Sequence, residues 1–168
     1  MKLIKSETKD IGAIIKIIKQ AQSYLKDQNI SQWQNNYPNE DNIKEDIRKD
    51  SSYILVHGED IIGTVALSFD GEPTYDYIYK GTWLTNNEYG VIHRIAVDSE
   101  LKGKNIGKVI LDELEKICIN KKVYSLKVDT HRKNTSMINF LTKNGFIYTG
   151  IIYISDGSER FAYEKILK

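Results

Sequence analysis

A glycine-spaced, lysine-rich segment lies where an apolar run gives way to an amphipathic pattern. The run Val91–Val97 is β-rich and ends at Asp98, and the segment Lys102–Lys108 has the sequence KGKNIGK and opens a helical pattern. The first N–H groups of a helix lack partners within the helix, and with the helix dipole they attract anions. Gly103 and Gly107 carry no side chain, so the backbone can approach a ligand closely. The segment predicts a site for a phosphate-bearing ligand.

Two familiar phosphate-binding motifs do not match this segment. A P-loop has four residues between its first glycine and its glycine–lysine pair, and a Ser or Thr follows. Here three residues separate Gly103 from Gly107, and Val109 follows the lysine. The dinucleotide-binding pattern G-x-G-x-x-G is also absent. A nucleotide-phosphate enzyme is therefore the weakest alternative, and a glycine-containing helix start with solvated lysines is the purely structural one.

The elements that must position this segment alternate between strand and helix patterns along the chain. The patterns predict strands at Lys2–Lys5, Ser52–His57, Ile61–Phe69, Tyr89–Val97, Val123–Asp129, Phe146–Ile154 and Arg160–Ile166, and helices from Thr8, from Asn39 or Asp41, at about Asn105–Ile119 and at Asn134–Lys143. We therefore expect a mixed α/β or α+β fold, with one sheet and helices on its faces.

Composition narrows the class of protein. A chain of 168 residues predicts one domain spanning residues 1–168. Its 24 basic and 23 acidic residues give a net charge of +1, which provides no field to recruit nucleic acid. One cysteine, Cys118, excludes an internal disulfide, and the three histidines lack metal-ligand spacing, so we expect no metal site. No apolar run approaches the ~20 residues of a membrane span, and no leader pattern is present, so a cytoplasmic location is expected.

Two blocks of the sequence resemble the signatures of the GNAT superfamily of N-acetyltransferases. The first signature, R/Q-x-x-G-x-G/A after a strand, maps onto Lys102–Gly107, with Lys102 for the Arg or Gln and Asn105 for the first glycine. Asparagine tolerates positive φ better than most residues, so we expect the turn to survive. The second signature, N-x-x-A-x-x-x-Y-x-K-x-G-F, matches Asn134–Phe146 at its Asn, Lys, Gly and Phe.

The resemblance implies a central, mostly antiparallel sheet of about seven strands flanked by helices on both faces. It also implies acetyl-CoA, or a related acyl-CoA, as cofactor, and transfer of the acetyl group to a primary amine of a small molecule or peptide by direct attack. The implied cofactor-binding residues are Lys102, Gly103, Lys104, Asn105, Ile106, Gly107 and Lys108 for the pyrophosphate, Ile95, Ala96 and Val97 for the pantetheine amides, and Asn134 for the pantetheine or diphosphate arm.

The proposed reaction needs a proton acceptor, because an attacking amine must be neutral and a lysine-type amine has a pKa of about 10.4. His93 lies in the strand that precedes the loop, and strand alternation predicts that it shares a face with Val91 and Ile95. A neutral imidazole could relay the proton of the amine. The alternative is a structural histidine that is hydrogen-bonded within the sheet.

The position of the family's usual general acid is occupied by Leu141. Tyr148 and Tyr153 follow on the next strand, and we retain Tyr153 as the candidate catalytic hydroxyl, although alternation buries some tyrosines as ordinary sheet residues. The loss of the expected acid also favours a second interpretation. In that interpretation the chain is a catalytically weak acyl-CoA-binding or regulatory module of the same fold.

Two aromatic stretches are candidates for the acceptor site. Gln32, Trp33 and Tyr37 lie between the first two helices, and Tyr77 and Trp83 lie before the central strand. Exposed aromatic loops on a rigid scaffold often bind ligands. The alternative is that both tryptophans close the ends of the core. We expect an amine substrate as partner, no nucleic acid and no membrane, and the sequence leaves a homodimer open.

Overall fold

The structure, a computed structural model, describes all 168 residues, and its elements follow the predicted order. The strands are β1 (Lys2–Lys5), β2 (Ser52–His57), β3 (Asp60–Ser68), β4 (Gly90–Val97), β5 (Ser125–Thr130), β6 (Ile147–Tyr153) and β7 (Glu159–Ile166), and the helices are α1 (Ile11–Asp27), α2 (Glu40–Arg48), α3 (Ile106–Asn120) and α4 (Thr135–Lys143). None of these helices combines the length and the hydropathy needed to cross a bilayer.

The strands form one sheet in the order β1-β2-β3-β4-β5-β7-β6. The pairs β1–β2, β2–β3, β5–β7 and β6–β7 are antiparallel, and β4–β5 is parallel. The predicted seven-stranded, mostly antiparallel sheet flanked by helices is thereby confirmed. Backbone proximity divides the chain into two compact units, Met1–Leu67 with Ile92–Leu114 and Ser68–Val91 with Glu115–Lys168. The single domain expected over residues 1–168 stays a prediction.

The first unit is built on the apolar faces of α1 and α2. Isoleucines form its core cluster, and Trp33 packs against it: Ile11, Ile14 and Ile18 lie at helical spacing on α1, Ile43 on α2 and Ile54 on β2. Burying each such side chain contributes about 1.5–3 kcal/mol. Asn39 starts α2, because its side-chain oxygen accepts hydrogen bonds from the N–H groups of Asp41 (3.0 Å) and Asn42 (3.2 Å). This capping fixes where the α1–α2 loop, residues 28–39, ends.

The second unit encloses aromatic rings and the buried charged residues Lys127, Arg160 and Glu164. Glu164 is fully buried on β7 and accepts hydrogen bonds from the hydroxyl of Ser125 (2.7 Å) and the N–H of Leu84 (2.5 Å). Opposite it in the β5–β7 ladder, Lys127 places its ammonium over the rings of Trp83 (4.3 Å) and Tyr89 (3.9 Å). Burial lowers the pKa of Lys127. These contacts attach the segment before β4 to strands β5 and β7.

The strand β5 begins two residues later than the predicted start at Val123. The N–H of Val123 donates to the carbonyl of Cys118 (2.9 Å), which continues the C-terminal turn of α3. A backbone group engaged in that turn is not available to the sheet ladder. The apolar run from Val123 therefore belongs partly to a helix end, which its composition alone does not reveal.

The thiol of Cys118 should be unreactive in the folded protein. Its side chain is fully buried, and burial, with a smaller effect of Glu115, raises its pKa to about 12. The thiolate is the reactive form, and it is scarce at neutral pH when the pKa is so high. Ellman's reagent should release no rapid colour from the native protein at pH 7.5, and one equivalent per chain in denaturant. Rapid labelling of the native protein would contradict the packing around α3.

Candidate functional site

The glycine-spaced segment forms a left-handed turn that leads directly into α3. Asn105 adopts φ +59°, as expected for an asparagine standing where a glycine was anticipated, and Gly103 adopts φ +81°. The first hydrogen bond within α3 runs from the N–H of Val109 to the carbonyl of Asn105 (3.2 Å). The N–H groups of the first turn, at Ile106, Gly107 and Lys108, therefore precede the helical hydrogen bonds. This arrangement is the local geometry that binds anions at helix N-termini.

The helix α1 holds the loop before α3 in place. The side-chain amide of Gln20 donates to a carboxylate oxygen of Asp98 (3.3 Å), and its oxygen accepts from the N–H of Ser99 (3.0 Å). The ammonium of Lys102 lies over the ring of Tyr24 at 3.6 Å. Gln20 and Tyr24 are four residues apart and so share one face of α1. Neither residue was among the predicted site residues, although polar groups at helical spacing are a readable signal.

The three lysines of the segment have different surroundings. Lys102 stacks on Tyr24, Lys108 forms an i,i+4 ion pair with Asp112 (2.7 Å), and Lys104 is exposed. The pair with Asp112 is solvated on both sides and contributes little to stability. The first-turn N–H groups and the nearby cationic side chains together fit a diphosphate, which accepts several hydrogen bonds and carries negative charge.

The strand β4, which leads to this loop, is not a regular strand. Arg94 has φ +51° within it, a conformation that is unusual for a large residue. Side-chain burial does not alternate either, since Gly90 to Ile92 are buried and His93 to Ile95 are half-buried. A left-handed residue interrupts the two-residue alternation of a strand. The alternation expected to place His93 on the face of Ile95 is therefore interrupted at Arg94, whereas the shared face of His93 and Val91 stays a prediction.

Arg94 takes part in a largely buried ion pair within the first unit. Its Nε and Nη2 atoms donate to the two carboxylate oxygens of Asp46, each at 2.6 Å, and its Nη1 donates to the hydroxyl of Tyr37 at 2.9 Å. The side chains of Arg94 and Asp46 are 14% and 9% exposed. Burial acts to lower the pKa of Arg94, but Asp46 and Tyr37 outweigh it, so the pKa is raised. The guanidinium is thus a permanent cation with a bidentate partner.

Arg94 and Asp46 were not among the predicted site residues. Their signals are visible in retrospect, because an arginine interrupts an apolar strand and an aspartate follows Ile43 by one helical turn on the buried side of α2. A charged residue at an apolar position is buried only when it is paired. Each position therefore indicates that an oppositely charged partner is present, but the sequence does not identify that partner.

The predicted cofactor-binding residue Asn134 and the predicted catalytic residue Tyr153 belong to the second unit. Asn134 is buried and starts α4, where its side-chain oxygen accepts from the N–H of Met137 (3.2 Å). Tyr153 is exposed on β6, and its ring lies edge-on to that of Tyr79 at 5.3 Å between centroids. Leu141, at the position of the family's tyrosine, is 1% exposed. A buried hydrocarbon side chain cannot serve as an acid, which agrees with the sequence analysis.

The predicted acceptor residues have unequal surroundings. Trp33 packs against the isoleucine cluster of the first unit, and Trp83 packs against the core of the second and donates from Nε1 to the carbonyl of Tyr75 (2.9 Å). Both contacts favour the interpretation that the tryptophans close the core. Gln32 is half-buried, whereas Tyr37 and Tyr77 are exposed. Of the aromatic candidates, these two tyrosines present the most surface to a ligand.

The structure brings together no group of three or more His, Cys, Asp or Glu side chains that could hold a metal ion. The three histidines lie on different elements, His57 at the end of β2, His93 within β4 and His131 after β5. Burial and the neighbouring cations Arg160, Lys133 and Arg132 lower the pKa of His131. The start of α3, beside the irregular strand β4, is therefore the main candidate for a functional site.

The architecture is shared with acetyltransferases of known structure. A GNAT-family acetyltransferase from Streptococcus agalactiae superimposes with a TM-score of 0.91 at 29% identity, covering 99% of this chain and 95% of that one. The PaiA N-acetyltransferase from Thermoplasma acidophilum, solved in complex with coenzyme A, gives 0.73 at 20% identity, covering 98% of each chain. The ribosomal-protein-alanine N-acetyltransferase from Brucella melitensis gives 0.69 at 16% identity, covering 99% of this chain and 100% of that one.

The sequence itself identifies the family. A model of the Acetyltransferase (GNAT) family matches residues 18–146, which include the loop before α3 and the α4 block. The chain belongs to this family of acetyltransferases. A comparison with curated proteins finds no match.

Proposed function

We propose that the protein is an N-acetyltransferase that transfers the acetyl group of acetyl-CoA to a primary amine of a small molecule or peptide. The observation that carries the proposal is the first turn of α3, where three N–H groups follow a left-handed Asn105 in a GNAT chain. The fold relative from T. acidophilum, an N-acetyltransferase with bound coenzyme A, supports the choice of cofactor. When bound, acetyl-CoA supplies an acetyl group activated as a thioester.

The residues of the chain would divide the remaining work. The N–H groups of Ile106, Gly107 and Lys108 would hold the diphosphate, with the side chains of Lys102 and Lys104 adding positive charge. The backbone of residues 95–97 would pair with the pantetheine amides as an added strand would. The side chain of Asn134 would contact the pantetheine or the diphosphate arm.

Proton transfer needs a base for the amine, and His93 is our candidate because an imidazole can accept a proton near neutral pH. The hydroxyl of Tyr153 is our candidate for returning a proton to the sulfur that leaves. A thiol has a pKa of only about 8.5, so the thiolate can also depart unassisted. Protonation of the leaving sulfur is therefore less important for the reaction than deprotonation of the amine.

A catalytically weak acyl-CoA-binding module is the second candidate function. The specific observation in its favour is Leu141, a buried hydrocarbon where the family's usual acid stands. The two candidates differ in turnover and not in cofactor binding, so binding measurements alone do not separate them.

The decisive experiment measures CoA thiol release from acetyl-CoA with a panel of polyamines, amino acids, aminoglycosides and peptides. The buried Cys118 should add little background to a thiol reagent. We expect saturable release with at least one amine, and mass spectrometry should find the acetyl group on its nitrogen. Saturable acetyl-CoA binding without release for any amine would instead support the module.

We further propose that the protein acts in the cytoplasm, without nucleic-acid or membrane partners. Its near-neutral net charge of +1 supports the absence of a nucleic-acid partner. We propose a homodimer only as the oligomer to be tested, and sedimentation at micromolar concentration decides it.

A further inference from the structure

Three structural features of Arg94, all within the first unit, suggest a role for this residue. The residue has φ +51° in the strand that the proposed cofactor would line, between the candidate base His93 and Ile95. Its guanidinium is held by both carboxylate oxygens of Asp46 on α2. Its third nitrogen, Nη1, donates to the hydroxyl of Tyr37 in the α1–α2 loop. One side chain therefore connects β4, α2 and the loop.

The α1–α2 loop has a backbone that needs such an attachment. Trp33, Asn35 and Asn36 all have φ between +57° and +59°, and for a bulky residue such as Trp33 this conformation is costly. Backbone of this kind persists only where surrounding contacts determine it. The contacts on the N-terminal side are the packing of Trp33 and hydrogen bonds from the side chain of Gln34 to the carbonyls of Gln22 and Gln32, each 3.1 Å.

Three side-chain hydrogen bonds hold the C-terminal side of the loop: Arg94 donates to the Tyr37 hydroxyl (2.9 Å), Gln22 to the carbonyl of Pro38 (3.0 Å) and Asn39 to the carbonyl of Asn36 (3.0 Å). The aromatic ring of Tyr37 is exposed, so packing does little to hold it. The hydrogen bond from Arg94 is charge-assisted, and such bonds are roughly twice as strong as neutral ones. The bidentate partner Asp46 in turn fixes the orientation of the guanidinium, so the ion pair positions the donor that holds the Tyr37 hydroxyl.

We propose that Arg94 and Asp46 are positioning residues that hold the α1–α2 loop, through the hydroxyl of Tyr37, in the conformation that binds the acceptor amine. This inference rests on the proposed function, since it assigns Gln32 and Tyr37 to the acceptor side. It adds that acceptor affinity is set from β4, by a residue next to the candidate base. Disturbing the ion pair should change the KM for the amine more than the affinity for acetyl-CoA.

The test compares Tyr37→Phe and Arg94→Lys with the wild type, and Tyr124→Phe is the matched control. Tyr37 and Tyr124 are similarly exposed, at 43% and 49%, and Tyr124 lies in the second unit. Tyr37→Phe removes one hydroxyl and leaves the ion pair intact, so the variant should fold. Arg94→Lys keeps the charge but cannot make the bidentate contact.

Tyr37→Phe should raise the KM for the best amine about tenfold, as for the loss of a hydrogen bond to a charged group. The kcat value and the dissociation constant of acetyl-CoA should stay within about twofold. Hydrogen exchange at residues 30–39 should accelerate in both variants. The double variant should lose no more than Arg94→Lys alone, because both changes remove the same contact. Tyr124→Phe should match the wild type in every measurement.

The outcomes separate this inference from the proposed function. Normal acetylation with an unchanged KM and unchanged exchange in Tyr37→Phe would overturn the positioning role only. An equal loss of acetyl-CoA affinity would also overturn it, because the contact would then support the cofactor strand. Accelerated exchange in a protein that acetylates no amine would contradict the proposed function and leave the attachment of the loop supported.

Discussion

Replacing Gly107 with glutamate should weaken acetyl-CoA binding by about 100-fold or more. The new side chain would extend from the first turn of α3 and place a carboxylate near the N–H groups proposed to hold the diphosphate. Two like charges about 5 Å apart repel by about 3 kcal/mol at an effective dielectric constant of 20, which corresponds to about 100-fold in Kd. Isothermal titration calorimetry with acetyl-CoA measures the loss directly.

The chain supplies a matched control in Gly12. Gly12 is the second residue of α1, as Gly107 is of α3, and a Cβ at Gly12 would meet no atom within 4 Å. An acidic residue in the first turn interacts favourably with the helix dipole, so neither glutamate should unfold its helix. Gly12→Glu should therefore bind acetyl-CoA as the wild type does. Gly107→Gln, which adds bulk without charge, should fall between the two.

The comparison between these variants tests the location of the site. Wild-type affinity in Gly107→Glu would exclude the first turn of α3 as the diphosphate site. A loss of affinity in Gly12→Glu as well would indicate a general effect of added negative charge. Thermal unfolding of each variant, measured without ligand, distinguishes lost binding from lost structure.

The features that the sequence analysis predicted well are those with local causes. The left-handed turn at Asn105, the start of α3 and the helix cap at Asn39 depend on the conformational preferences of a few consecutive residues. The strand and helix patterns likewise arise from spacing along a single element. The turn before α3 could be predicted from the sequence for that reason, since it needs only a few consecutive residues followed by a helix.

The features that escaped prediction depend on residues far apart in the sequence. Arg94 pairs with Asp46, 48 positions earlier, and its left-handed φ interrupts the alternation used to orient His93. Whether Trp33 binds a ligand or closes a core depends on which helices meet beneath it, and the structure shows it packed on isoleucines from both helices and β2. Local patterns contain no information about such partners. The turn and helix start before α3 were therefore predictable from the sequence, and the contacts of the α1–α2 loop were not.

Substituting His93 with alanine should lower kcat by about 100-fold, at the lower end of the range for a lost general base. The affinity for acetyl-CoA should change by less than about twofold, because His93 precedes the residues proposed to contact the cofactor. Steady-state kinetics with the best acceptor measure the fall in kcat, and isothermal titration calorimetry measures the affinity for acetyl-CoA.

The purely structural role of His93 makes a different prediction. If His93 only provides a hydrogen bond within the fold, His93→Gln should restore activity, because the amide can donate and accept but cannot take up a proton. For a general base, His93→Gln should be as slow as His93→Ala while melting like the wild type. His57→Ala removes an exposed histidine at the end of β2 and should leave kcat unchanged. Arg94 has a left-handed backbone conformation directly after His93. Measuring kcat and KM in Arg94→Lys therefore tests whether the contacts of Arg94 also orient the imidazole. A fall in kcat there, beyond the rise in KM, would mean that the ion pair positions the base as well as the loop.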